Sequence, residues 1–332
     1  MAPGIDCTAF PHIFDQIVEY VDDPTTLLVL RPVSRELRDK ADAKLYRHVG
    51  FATDPSTRGT FIRMQHPSGH LLPALPKMAG GPQVDIIHQR LRRLDVVDLI
   101  FPLVSGVMFD TQHLPTPRVL RVSQSAWGPD RSAFFRWINL HKVRASETAV
   151  YFTDGVPSRD LLYGPLNSGI SIDPWGHTRT STFFPMVNGV RRHVLNWCYG
   201  TVSGIQIAVL TNFCSRVRVH RMEGELIILF SEHGCSPSSL RRGHWVLTML
   251  MRACARAKDV RGFKITFVGV DTCRPEYIKW QRDRMREASY PSQVEFLTHA
   301  DYRDRIGYAQ YELETVPPAP LHGPQVASSS IP

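Results

Sequence analysis

Apolar side chains at Phe10, Ile13, Phe14, Ile17, Val18 and Val21 recur at helical spacing, which predicts a first helix with one wide apolar face. Pro11 suits its opening turn, where a missing N–H costs nothing. Asp23 as N-cap and Pro24 as first residue predict a second helix over "PTTLLVL". Beyond Arg31 and Pro32, the stripe Val33, Leu37, Ala41 and Leu45 predicts a third, backed by Arg35, Arg38, Lys40 and Lys44. Helices shorter than about 12–15 residues are marginal alone, so the three must bury one another. They do so only partly. The outer face of the first helix and the Val33/Leu37 edge are left for something else to cover, either the rest of the chain or a partner.

Downstream the pattern changes. Short apolar runs at 92–101, 117–124, 147–154, 191–199, 224–233, 262–271 and 293–299 are strand-length and bounded by Gly, Pro or charge. "LIILF" and "KITFVGV" are apolar without alternation, as in strands buried on both faces of a parallel sheet. Helical patterns lie between them at 130–142, 238–259 and 274–289. The strands therefore predict a mainly parallel α/β body, either an irregular leucine-rich-repeat-like array or one doubly wound sheet. The domain plan is a helical unit over 1–52, a linker or irregular segment over 53–90, the α/β body over 91–315 and a disordered tail over 316–332. The tail is rich in Pro and Ser.

The chain has 332 residues, 43% of them hydrophobic, enough for a real core. No uncharged apolar run of membrane-spanning length occurs, and the N-terminus has no signal-peptide core. Six scattered cysteines fit reduced thiols in the cytoplasm or nucleus. A net charge of +8 leaves a nucleic-acid partner conceivable, but the basic residues form no dense cluster, which argues against it.

Against this background, the stretch from Phe10 to about Val49 resembles an F-box. It has an opening hydrophobic–Pro pair (Phe10-Pro11), an apolar helix ending "IVEYVDDP", a Leu-rich second helix and the sequence Val33-Ser34-Arg35 followed by Leu37-Arg38. The continuation "DKADAKLYRHV" is similar to F-box-like proteins of the basidiomycete fungal type. The usual Leu-Pro-x-Glu opening is changed, because "FPHIF" lacks the Glu and is one residue shorter. The resemblance implies a three-helix unit that docks onto a Skp-type adaptor, and through it a cullin–RING ubiquitin ligase. The docking face it implies comprises Pro11, Ile13, Phe14, Ile17, Val18, Val33, Ser34, Leu37 and Arg38.

Catalytic signatures are missing from the sequence. There is no phosphate-binding loop, and "GTVSG" lacks the spacing of a nucleophile elbow. Neither C-x-x-C nor paired Cys/His spacing suggests zinc. The expectation is a non-enzymatic receptor without cofactor or metal, which holds an unknown client protein close to the ligase. The long polar loop over 164–184, with Trp175, His177 and Arg179, is the expected client contact. Two rivals stand beside it: a scaffold whose helical unit packs on its own body, and an α/β enzyme with a site near Asp271, at the end of a predicted strand.

Overall fold

The computed structural model describes residues 11–53, 62–72, 91–102, 115–126, 145–153, 190–197, 223–230, 263–269, 279, 283 and 294–318. Three helices come first: α1 (Pro11–Tyr20), α2 (Pro24–Leu30) and α3 (Arg35–Leu45). The Asp23 carboxylate accepts from Thr25 N at 3.2 Å and Thr26 N at 2.9 Å, which ties down α2. Ser34 does the same for α3, its hydroxyl accepting from Leu37 N at 3.1 Å. Val18, Leu27, Leu37, Ala41 and Leu45 are buried and form the centre of the unit.

The basic side of α3 is spent on clamping its neighbours. Lys40 reaches Asp15 of α1 at 2.8 Å and Glu36 at 2.6 Å. Lys44 donates to the carbonyls of Glu19 (2.5 Å) and Val18 (3.3 Å), and pairs with Asp22 at 2.9 Å. A cation placed there satisfies carbonyls that the end of α1 leaves without helical partners. Arg31 pairs with the buried Asp42 at 2.5 Å, tying the α2–α3 turn to α3.

Nine strands follow: β1 (His48–Thr53), β2 (Ile62–Gln65), β3 (Val96–Pro102), β4 (Val119–Ala126), β5 (Thr148–Thr153), β6 (Arg192–Trp197), β7 (Gly224–Phe230), β8 (Phe263–Val268) and β9 (Val294–Leu297). They form one sheet in the order β2-β1-β3-β4-β5-β6-β7-β8-β9. Only β2 is antiparallel, against β1; every later pair is parallel. All seven expected strands are present. Leu226, Ile227, Ile228 and Leu229 are fully buried in succession, as an apolar run without alternation requires.

Strands β3 to β9 are added in chain order on one side of β1, and β2 lies alone on its other side. Two features differ from the sequence reading. The sheet starts at His48, so β1 overlaps the end of the expected helical unit and β2 falls in the segment read as a linker. Finally, two unexpected helices, α4 (His299–Ile306) and α5 (Tyr308–Thr315), close the described chain. Of the expected helices at 130–142, 238–259 and 274–289, only Lys279 and Asp283 are among the described residues, and both are helical.

α4 and α5 pack on one face of the sheet. Strand register puts Val150, Val194 and Ile227 in one row, with Phe152, Leu229 and Val268 in the row two residues on. With Val96 and Val119 they make a core that Tyr302 enters, flanked by Leu297, Ile306, Tyr311 and Leu313. Thr298 and Asp301 form a capping box that starts α4. Gly307 separates the helices at φ 81°, a conformation that favours glycine.

The end of α5 is held by side chains from the strands. The fully buried Glu314 pairs with Arg192 of β6 at 3.0 Å and accepts from the Tyr302 hydroxyl. Burial, reinforced by Glu314, raises the Tyr302 phenol far above its ordinary titration range. Asn196 donates to the carbonyls of Glu314 (2.8 Å) and Thr315 (3.2 Å), and Arg121 donates to Val316 O. Residues 316–318, expected to begin a free tail, thus lie against the body, with Pro318 buried.

Candidate functional site

α1 turns Val18 inward and leaves Ile13, Ile17 and Tyr20 outside, at relative exposures of 38%, 42% and 83%. Their i, i+4, i+7 spacing makes them a single stripe. Val29 on α2 and Val33 in the turn before α3 are 64% and 65% exposed. Scattered exposed apolar residues are ordinary on a protein surface. Five on so small a helical unit, three of them in line, are not scattered.

The residues implied by the F-box resemblance divide into groups. Ile13, Ile17 and Val33 are exposed, the first two on the α1 stripe. Val18 and Leu37 are core residues instead, because their positions on α1 and α3 face the other helices, and they are not available to a partner. Ser34 is engaged as the α3 N-cap. Arg38 is exposed, with its Nε donating to Arg31 O at 3.2 Å, so it braces the α2–α3 turn while remaining accessible. Pro11 and Phe14 lie within α1. Tyr20 and Val29 belong to the surface but were not singled out from sequence. The signal for Tyr20 was available, seven residues after Ile13, whereas Val29 is indistinguishable from its neighbours in a Leu-rich run.

Asp15, Glu19, Asp22 and Asp23 are exposed on α1 and the loop that follows, whereas α3 exposes both signs, Arg35 and Arg38 together with Glu36 and Asp39.

Trp175, His177 and Arg179, the expected client contact, lie outside the described residues, as do Asp271 and all six cysteines. Among the described residues, no helix is long and apolar enough to cross a membrane. Comparison of the chain with family models, curated proteins and solved structures finds no match.

Proposed function

We propose that this chain is an F-box-like adaptor: its helical unit docks onto a Skp-type adaptor protein, and its parallel-sheet body receives a client for a cullin–RING ubiquitin ligase. The observation that carries the reading is the exposed stripe of Ile13, Ile17 and Tyr20 on α1, with Val29 and Val33 also exposed on the same helical unit, on the segment whose sequence resembles an F-box. α2 and α3 start at side-chain caps, and the helices already pack on one another through Val18, Leu27 and Leu37, so a partner meets a preformed surface and little ordering cost.

The body fits the second half of this role. Its parallel strands follow one another in sequence, with starts 23 to 44 residues apart from β3 to β9. That progression supports a leucine-rich-repeat-like array, with the 164–184 loop as its client contact. The chain itself carries out no chemistry in this scheme. It raises the effective concentration of client near the conjugating enzyme, in the cytoplasm or nucleus.

A scaffold with a self-packed helical unit is the second reading, favoured by the burial of Val18 and Leu37. Affinity purification from a eukaryotic lysate separates the two. The adaptor reading expects a Skp-type protein with the wild-type chain and its loss with Val33→Glu, a change at an exposed position. A folded wild-type chain that never brings down such a protein leaves the scaffold.

A further inference from the structure

The two faces of the sheet differ in kind. Side chains alternate between faces along a strand, so the register assigns each residue to one of them. On the face away from α4 and α5, the rows through His193 and Leu195 are apolar save for His193 and Tyr151. On the face beneath α4 and α5, Asp98, Arg121, Thr148, Arg192, Glu225 and Thr266 are set among the aliphatic residues of the core. A parallel sheet that is merely covered on both sides needs aliphatic residues alone. Aliphatics interrupted by polar groups at fixed places are the make-up of a recognition surface.

What lies on this face is held as a bound peptide is held. Tyr302 is a buried aromatic anchor. Arg192 donates from Nε to Glu314 at 3.0 Å and from Nη2 to the Tyr302 hydroxyl at 2.6 Å. Asn196 and Arg121 donate to the carbonyls of Glu314, Thr315 and Val316, which the end of α5 leaves without helical partners. Arg118 reaches Gln310 at 3.2 Å, and Arg305 reaches Glu295 at 2.7 Å and Glu225 at 3.5 Å. The apolar contribution of the two helices is modest by comparison. Ile306, Tyr311 and Leu313 are half-buried, and Tyr308 is exposed. An acid, an aromatic ring and the open end of a helix are features that another helical peptide can bring.

We propose that the face of β4 to β7 is a docking site for a helical segment bearing a carboxylate and an aromatic anchor, and that α4 and α5 occupy it in cis as an autoinhibitory strap. A client segment of the same chemistry enters when the strap swings away. The client's part rests on the adaptor reading; the strap's opening does not. The strap follows β9 directly, so it opens about Leu297 and Thr298 without breaking a strand pair. Tethering gives it a high effective concentration, which keeps the site closed until a client brings further contacts.

The test uses the full chain, with neither adaptor nor client present, so its outcome leaves the docking of α1 untouched. Hydrogen exchange of the wild type in low urea should show the amides of residues 302–306 and 311–315 opening while those of Val194, Leu195, Ile227 and Ile228 stay protected. Glu314→Ala alters the strap and leaves the sheet face intact, and it should make that opening at least about a hundredfold more frequent. A dye-labelled peptide of residues 298–318 should bind this variant saturably, fail to bind the wild type, and lose its binding when Arg192→Ala is added. Wild-type amides of the strap that exchange only in step with β6 and β7 would overturn the proposal, whether or not the variant folds. A folded, opened Glu314→Ala chain that ignores the peptide, or binding that Arg192→Ala leaves unchanged, would overturn it as well.

Discussion

Ile17 and Leu37 carry similar apolar side chains, yet one faces water and the other its own helices. That difference predicts opposite behaviour on truncation. Leu37→Ala should cost about 2–5 kcal/mol in urea unfolding, because it leaves a cavity. Ile17→Ala and Val33→Ala should stay within about 0.5 kcal/mol of wild type, as exposed positions do. A second residue-scale prediction concerns His193, buried on β6, where burial holds the imidazole down to about 4. Since the unfolded ring titrates near pH 6.5, the unfolded chain takes up the proton first as pH falls. The stability this group contributes is complete above pH 6.5 and is lost progressively between about pH 6.5 and 4, to a total of about 3 kcal/mol. Unfolding midpoints across that range, compared with those of His193→Leu, check the slope, which the variant should flatten.

At the scale of elements, legibility followed how much of the packing is apolar. β3 to β8 were readable because each carries buried apolar residues bounded by breakers, and β9 because its half-buried Val294, Phe296 and Leu297 make a short apolar run. β1 was hidden, since "HVGFAT" offers only Val49 and Phe51 in alternation and directly continues the third helix. α4 and α5 were missed for a different reason. "HADYRDRI" is mostly charged, and α5 is anchored by Glu314, a residue type that pattern rules assign to the surface. Only the structure supplies its partner, Arg192, 122 positions away. Removing one side of such a buried pair leaves the other charge stranded. Glu314→Ala should therefore destabilise the protein by about 3–5 kcal/mol in urea unfolding, and Glu314→Gln, which keeps the contacts with Tyr302 and Gln310, by less.

For the whole molecule, the three-helix unit and the parallel character of the body were readable from periodicity, but the strand order was not. Nothing local in a strand records which neighbour it pairs with. The progressive order emerges only when Gly50, Asp98, Arg121, Val150, Val194, Ile227 and Thr266 line up across the sheet. The candidate surface was half legible for a related reason. A stripe such as Ile13, Ile17, Val18 shows that a helix is amphipathic, while the division into buried Val18 and exposed Ile13 and Ile17 is decided by where α3 lies.

The central claim is that the exposed apolar stripe of α1 is a partner's seat. Calorimetric titration of the purified full-length chain with a Skp-type adaptor tests it most directly, using wild type and Ile17→Glu. The account predicts saturable one-to-one binding by the wild type, and loss of that binding in the variant with the urea midpoint unchanged. A wild-type chain that is folded and releases no heat of binding at any adaptor concentration, or an Ile17→Glu variant that binds as well as wild type, would contradict it.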